Sequence, residues 1–470
     1  MTPETDDVLL DLARIFEKHG VKGSFAIVGE KARVLKRRGR ADVIEALKRQ
    51  DVAYQSNLHS VHPTIAEYLK DSGWQAGVEE FIKREGEGAR DLEKIFGAKP
   101  SAFIQPGGSW APQAPYAARK MGIKVYADGI FPPQPVWFCN TLAISYSILY
   151  RESESGTRKH LEELKKRFAE AVERVGEKGV IVIVLHPCML LTREFWDAVN
   201  FARGKNPEKL KPAPIVSRKT YAKRIAEFDE FVGYVASHPG IKVVTYRELP
   251  ELVEPTPDTI SPENALKLAE QAQEKLSYYA AAGHYYTAAE TFSILLDFFT
   301  SLLKGEKPEQ IRVKSLLGPT RRIHAQPFKV EIDAFAETCR RLHASLSNAE
   351  HVPSEIRVGG RVTGPDAFLK ALAHTLLQAT RGELPSQVAL DAAGETPYVG
   401  FDVAEKVKKQ WGWIIFPENF SSKKILELTL LQLWTWKPAK IKKAVRTKAR
   451  KARRKNLPNS SPAEKRGNSA

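Results

Sequence analysis

The sequence predicts an α/β fold for residues 1–254, with a parallel sheet covered by helices on its outer face. Two observations predict this fold: short, continuous apolar segments typical of buried parallel strands, and amphipathic segments typical of helices, which alternate along the chain. A third observation concerns function, because polar or histidine-containing segments directly follow three of the strands. In folds of this class, functional side chains gather at the carboxyl ends of the strands.

The elements follow in order from this pattern. The first is a helix over residues 5–19, because Leu9, Leu12 and Phe16 share one of its faces and Gly20 ends it. Further helices are expected at 40–49, 74–96, 112–121 and 157–176. Strands are expected at 23–30, 51–54, 101–108 (the last part a loop), 123–129, 180–187 and 241–249. The chain therefore starts in a helix, with no strand before it.

A Pro-rich, polar stretch at residues 251–262 predicts a linker to a second domain. Residues 255–436 are expected to form this domain, mostly of helices with short strands. A P-x-x-[IV]-x-[VL] motif follows a helical segment at 308–313, 353–358 and 385–390. Because the spacings are irregular, we interpret the motifs as helix–turn–strand units of a compact domain rather than of a solenoid.

Positive charge is concentrated at the carboxyl end of the chain. The net charge is +16, and residues 437–470 hold eight Lys, five Arg and one Glu, a net of +12. The other residues are nearly balanced, so the composition does not indicate a nucleic-acid-binding surface over the whole protein. We expect a basic, disordered tail, either a solubilising extension or a binder of an anionic polymer such as nucleic acid, teichoic acid or a membrane surface.

Composition also narrows the class of protein. No run of about 18 apolar residues occurs, so no transmembrane segment is expected, and the amino terminus lacks a signal-peptide pattern. The three cysteines, Cys139, Cys188 and Cys339, are too few and too widely spaced for a disulfide framework or a cysteine-rich zinc site. A metal site would therefore need histidine and carboxylate ligands.

Two histidines follow the strand at 51–54. His59 and His62 lie in the polar loop at 55–63, and neutral imidazoles at the end of a strand suit zinc or a similar ion. The alternative is that both are ordinary loop residues, with His62 and Pro63 only starting the next helix.

His186 closes the apolar strand at 180–187. A histidine held in such a partly buried position can act as a general acid or base. The alternative is a core histidine bonded to a backbone carbonyl.

The segment QPGGSW at 105–110 supplies the candidate substrate-binding residues Gln105, Pro106, Gly107 and Trp110. Its glycines allow a ligand to approach the backbone closely, and the tryptophan can stack on a sugar. The alternative is an ordinary turn with a packing tryptophan.

In this order, the segments resemble the polysaccharide deacetylase family (NodB-type, carbohydrate esterase family 4). The resemblance covers about residues 1–254 and rests on the segments at 20–32, 55–63, 105–110, 185–187 and 243–249. It implies a distorted (β/α) barrel, here lacking its first strand, that removes N- or O-acetyl groups from a carbohydrate polymer. It also implies a divalent metal, zinc in many members, held by two histidines and an aspartate. Family members are often exported.

The family's roles transfer to individual residues of this chain. The H-[ST]-x-x-H motif falls on Gln55 to His59, so His59 takes the place of the second metal histidine and Gln55 that of the first. His62 is an additional candidate ligand at a different spacing. His186 corresponds to the late histidine that protonates the leaving amine.

The resemblance leaves two functions open: a metal-dependent hydrolase, and a non-catalytic glycan- or cell-wall-binding protein on the same scaffold. An amide is a poor metal ligand, and the family's first-strand aspartates have no counterpart, since Asp6 and Asp7 are expected in the first turn of a helix. Two explanations fit, and they are compatible with each other: an amino-terminal portion is missing from the sequence, and the protein is a degenerate deacetylase. Six aromatic residues of the second domain could form a glycan-binding surface or pack in its core: Tyr278, Tyr279, Tyr285, Tyr286, Trp411 and Trp413.

Overall fold

A computed structural model describes residues 2–442, and their first half alternates between helices and strands. The helices are α1 (Glu4–Lys18), α2 (Gly29–Arg37), α3 (Ala41–Lys48), α4 (Ile65–Leu69), α5 (Trp74–Phe96), α6 (Gln113–Lys120), α7 (Arg158–Val175), α8 (Pro187–Leu191), α9 (Trp196–Asn200), α10 (Arg218–Ser237) and α11 (Leu249–Leu252). The strands are β1 (Ser24–Ile27), β2 (Asp51–Tyr54), β3 (Ala102–Ile104), β4 (Val125–Ala127), β5 (Val136–Phe138), β6 (Thr141–Ile144), β7 (Ile148–Leu149) and β8 (Ile183–Val184).

The second half is mostly helical with short strands. Its helices are α12 (Pro262–Glu274), α13 (Ala288–Leu303), α14 (Ile332–Ser345), α15 (Pro365–Thr380), α16 (Val403–Gln410) and α17 (Lys423–Gln432). Its strands are β9 (Thr259–Ile260), β10 (Tyr279–Ala281), β11 (His284–Tyr286), β12 (Ile311–Arg312), β13 (Phe328–Glu331), β14 (Ile356–Val358), β15 (Arg361–Thr363), β16 (Gln387–Leu390) and β17 (Lys437–Pro438). The three recurring motifs end in β12, β14 and β16, which pair with three different strands and so do not stack in one sheet.

The main sheet has the strand order β1-β2-β3-β4-β6-β5-β17. Strands β1 to β4 and β6 are parallel, with Phe25 opposite Val52 and Phe103 opposite Tyr126, whereas β5 and β17 run antiparallel to their neighbours. The predicted α/β fold with parallel strands is therefore confirmed. Since parallel strands share one direction, the loops after β1 to β4 lie at the same edge of the sheet.

Two segments predicted as long strands are largely not strands. Of residues 180–187 only β8 is paired, with β7, in a separate two-stranded sheet, and residues 241–249 hold no strand. The segment at 241–249 forms no strand because no neighbouring strand pairs with it. No described group accepts a hydrogen bond from the backbone N–H groups of residues 242–244. Thr245 then enters a turn in which its backbone N–H donates to Glu248 Oε2 at 2.9 Å. The described strands do not close into a barrel.

The opening between β1 and these two segments is a cavity of about 1660 Å³. Apolar side chains line its interior, among them Phe25, Ile183, Phe231 and Val243. At the carboxyl edge of the sheet the lining becomes polar, and we call this end of the cavity the mouth. Its walls are formed by residues that follow the strands and by one later segment: Gln55, His59, Gln105, Asp128, His186, Phe195, Asp197, Gln410 and Trp413.

Two large apolar cores, and a smaller one that includes Ile104 and Leu142 of the sheet, hold the described chain together. The first packs the helices of the amino-terminal half around the sheet and also contains Val403, Trp411 and Ile415. The second consists of residues from Ile260 to Leu390, joined by Trp434. The residues predicted as one domain at 255–436 therefore contribute to both large cores, because the last part of that range packs into the first core.

The predicted basic tail does not begin at residue 437. Lys437 is buried in β17, and its Nζ lies 2.7 Å from each carboxylate oxygen of the buried Glu290. Packed structure continues to Lys442, and the remaining residues of the predicted tail, 443–470, lie outside the described residues. Between residues 2 and 442, no helix has both the length and the apolarity needed to cross a bilayer.

Candidate functional site

The loop after β2 places Gln55 and His59 at the mouth, whereas His62 lies outside the cavity lining and contacts α4. His62 Nδ1 lies 2.6 Å from Glu67 Oε2, and its Nε2 lies 3.2 Å from the carbonyl oxygen of Phe201. Although burial disfavours the charged ring, the hydrogen bond to Glu67 raises the pKa of His62 above its usual value. Both ring nitrogens are thus engaged away from Gln55 and His59. His62, expected as an additional metal ligand, instead fastens the loop to α4.

A carboxylate orients His59. Its Nδ1 lies 2.7 Å from Ser60 Oγ and 3.3 Å from Asp197 Oδ2 in α9, while its backbone N–H donates to Ser56 Oγ at 2.9 Å. No described residue forms a hydrogen bond with its Nε2, which leaves that atom available to a ligand. No sequence signal marked Asp197, since it lies in a short helix without a motif.

His186 also lines the mouth, where its ring forms one end of an aromatic wall. Its backbone N–H donates to Glu152, and its Nδ1 lies 3.3 Å from Glu152 Oε1, so it is bonded to a carboxylate and not to a backbone carbonyl. Burial acts to raise the pKa of Glu152, but the hydrogen bond with His186 lowers it below its ordinary value. The His186 side chain is 50% exposed and therefore accessible.

Three rings form this aromatic wall. The His186 ring meets Phe195 edge-on with a centroid distance of 4.9 Å, and Phe195 meets the Trp413 ring edge-on at 5.7 Å. Trp413 is 39% exposed. A partly exposed indole supported by neighbouring rings offers a rigid, largely apolar face to a ligand.

Gln105 lines the mouth, but its side-chain amide is hydrogen-bonded to neighbouring residues of the protein. Its Nε2 donates to the carbonyl oxygen of Ser109 at 2.5 Å, and its Oε1 accepts from the Tyr126 hydroxyl. The Ser109 N–H donates to the carbonyl oxygen of Pro106 at 2.9 Å, which closes the turn. Pro106 does not line the cavity.

Trp110 is a core residue and does not present a face to a ligand. It is fully buried, and its indole N–H donates to Thr429 Oγ1 at 3.0 Å. Its neighbours are rings of the first core, including Phe131 and Phe138. The stacking role predicted for Trp110 is therefore replaced by packing against α17.

The two glycines of this loop make room for a later part of the chain. Gly107 and Gly108 both have positive φ, and a Cβ on Gly107 would lie 2.7 Å from Ile415 Cδ1. A Cβ on Gly108 would lie 2.9 Å from the carbonyl oxygen of Gln410. The close approach predicted from the glycines does occur, but the segment 410–415 makes it.

Asp128 is a mouth residue that none of the sequence motifs contains. It follows β4 directly, and its Oδ1 accepts from the Ile130 N–H at 2.9 Å and from Gln410 Nε2. Burial raises the pKa of Asp128 to about 6. An acidic residue directly after an apolar strand was the available signal, whereas nothing in the sequence connected Gln410 with this edge of the sheet.

The donor set of the mouth does not fit a catalytic divalent metal. Nowhere in residues 2–442 do three or more His, Cys, Asp or Glu side chains group so that they could hold one. Gln55 would offer a neutral amide where zinc favours imidazole or carboxylate, and His62 is engaged by Glu67. Asp6 lies in the first turn of α1, where it forms ion pairs with Lys31 and Arg38. We therefore assign no metal-dependent step to these residues.

Comparisons with known proteins returned solved structures only. No family model and no curated protein matches the chain. It is similar to a candidate polysaccharide deacetylase from Mycobacterium smegmatis (17% identity, 52% of this chain and 76% of that chain, TM-score 0.35). It is also similar to a family 4 carbohydrate esterase from Streptomyces lividans in complex with acetate (14% identity, 50% and 85%, TM-score 0.28). A third is a family 4 pseudoenzyme from Bacillus anthracis (19% identity, 40% and 52%, TM-score 0.26).

Proposed function

We propose that this protein binds a carbohydrate polymer at the mouth and does not hydrolyse it with a metal. The observation that carries the proposal is the composition of the two walls. One wall is aromatic, with Trp413 at its exposed end, and the other is polar, with Gln55 and His59. A pocket that combines apolar faces with a few fixed polar groups is typical of small-molecule and sugar sites.

The chemistry of a sugar ring matches both walls. Its C–H face is apolar enough to lie on the Trp413 indole, and its hydroxyls can donate to or accept from His59 Nε2 and the Gln55 amide. The polymer can extend beyond the mouth because the cavity opens to solvent there, as the half-exposed His186 indicates.

The same residues argue against metal-dependent hydrolysis. A metal that activates water needs several convergent anionic or imidazole ligands, and without it such a hydrolysis loses orders of magnitude in rate. Here His59 is paired with Asp197, and Gln55 stands at the position that the family resemblance assigns to the first metal histidine. His186 keeps a carboxylate partner in Glu152, but in the described chain it belongs to no group of three or more side chains that could hold a metal.

Calorimetric titration of the full chain with partly N-acetylated chito-oligosaccharides tests the proposal. We expect Trp413→Ala to weaken binding at least tenfold, because it removes the stacking face. Tyr398→Ala is the matched control, since Tyr398 is an exposed aromatic residue (52%) that does not line the cavity. Equal binding by the wild type and Trp413→Ala would contradict the assignment of the aromatic wall.

A further inference from the structure

Asp128 and Gln410 meet at the mouth from distant parts of the chain. Asp128 follows β4, and Gln410 is the last residue of α16. The Gln410 Nε2 donates to Asp128 Oδ1, which fixes both side chains against each other. Both residues line the cavity next to Trp413.

The pair leaves two buried acceptor atoms unused. Asp128 is 1% exposed, and its Oδ2 has no hydrogen-bond partner among residues 2–442. The Oε1 of Gln410 is also buried and without a partner in the described chain. Buried polar atoms are nearly always hydrogen-bonded, and an unpaired carboxylate oxygen is especially unfavourable. Because both atoms belong to bonded residues that line the cavity, they indicate a ligand that donates hydrogen bonds.

The neighbouring groups of the chain do not supply these donors. Lys406 is the cation whose charge acts on Asp128, but its Nζ donates to the Ile130 carbonyl oxygen at 3.4 Å and lies over the Phe401 ring. The Tyr126 hydroxyl donates to Gln105. Tyr146 lies close enough for the Asp128 charge to contribute to raising its pKa, after burial, yet it forms no hydrogen bond with the carboxylate.

The chemistry of the missing donor is that of a protonated amine. An ammonium group carries three N–H donors and a positive charge, so it can satisfy both oxygens and neutralise the carboxylate. Burial raises the pKa of Asp128 to about 6, which leaves it mostly ionised at pH 7.5. An N-acetylated amine offers one N–H, no charge and a methyl group, and it matches the pair less well.

We infer that Asp128 and Gln410 form a subsite for the free ammonium group of an amino sugar whose ring lies against Trp413. This inference rests on the proposed function and adds to it a preference for de-N-acetylated over N-acetylated polymer. The global charge does not produce such a preference, because the chain carries +16 and repels a cationic polymer.

The test compares glucosamine oligomers with N-acetylglucosamine oligomers of equal length, titrated into the full chain at pH 7.5. We expect the wild type to bind the glucosamine oligomer at least tenfold more tightly, and Asp128→Asn to remove the preference while it keeps its affinity for the acetylated oligomer. Glu405→Gln, which removes an exposed carboxylate from the same helix, should keep the preference.

The outcomes separate the two proposals. If the wild type binds both oligomers equally, or prefers the acetylated one, the ammonium subsite is overturned and the glycan-binding function stands. If neither oligomer binds, both proposals fall. If Asp128→Asn does not fold, Gln410→Leu is tested in the same assay. An unchanged preference for the glucosamine oligomer overturns the subsite, and a reduced preference supports it.

Discussion

At the scale of single residues, buried charges of this protein are used to join distant segments. Lys437 and Glu290 form a buried ion pair between β17 and α13, and Glu290 also accepts the Thr287 N–H at 2.8 Å at the start of that helix. Lys437 additionally donates to Thr256 Oγ1 at 2.8 Å. One lysine therefore connects the carboxyl-terminal strand with the start of the second core.

We predict that Lys437→Met destabilises the protein by about 3–5 kcal/mol, because it leaves the Glu290 carboxylate buried without a counter-charge. Denaturant unfolding measures the change. The double variant Glu290→Gln/Lys437→Met should recover part of the loss. Lys440→Met is the control, since Lys440 pairs with Glu254 at the surface and should leave the midpoint unchanged. A midpoint for Lys437→Met equal to that of the control would show that the pair is solvated.

At the scale of elements, α7 and α10 are held together by a buried histidine–glutamate contact. His160 Nδ1 lies 2.7 Å from Glu227 Oε1, and Glu227 Oε2 accepts the Gly156 and Thr157 N–H groups at 2.8 Å each. Burial opposes the charged ring, but the Glu227 hydrogen bond raises the pKa of His160 above its ordinary value.

This shift predicts the pH dependence of stability. A raised folded-state pKa contributes stability that is fully present below the unfolded pKa of about 6.5 and is lost as pH rises through the folded-state pKa. The difference in unfolding free energy between wild type and His160→Gln should therefore be largest at pH 5.5 and shrink toward pH 8.5. His374→Gln is the control for replacing a histidine in a helix, since the His374 ring makes only a long contact of 3.4 Å with Gln273. A pH-independent difference for His160→Gln would refute the charged pair.

The sequence predicted the positions of helices and strands better than it predicted which elements pack or pair with each other. Apolar runs identified the strands at 51–54 and 123–129, because a buried strand is recognisable from its own composition. The equally apolar run at 241–249 has no strand, since a ladder also needs a neighbour, which local sequence does not specify. For the same reason the pattern could not show that 399–416 packs on the first core, or that Gln410 and Trp413 reach the mouth.

At the scale of the whole molecule, an open sheet next to a large apolar cavity distinguishes this structure. The cavity of about 1660 Å³ is lined by β1 and by the segments at 180–185 and 241–246. Few described hydrogen bonds hold the segment at 241–246, whereas β2 to β4 are paired on both sides.

Hydrogen exchange should show this contrast. We predict fast amide exchange at 242–244 and protection of β3 and β4, because only the latter amides have ladder partners. Mass spectrometry of exchanged peptides resolves the two regions. Strong protection of 242–244 would mean that a pairing partner covers them in solution.

The most direct test of the central claim, that the mouth binds a glycan without metal-dependent hydrolysis, follows binding and acetate release together. The full chain is titrated with partly N-acetylated chito-oligosaccharides, once with excess zinc and once with chelator. The mass of the recovered ligand is then measured by mass spectrometry. The structure predicts equal affinity in both samples and intact acetyl groups, since His59 and Asp197 belong to no described group of three or more His, Cys, Asp or Glu side chains that could hold a metal. Zinc-dependent release of acetate, absent with the chelator, would contradict glycan binding without metal-dependent hydrolysis.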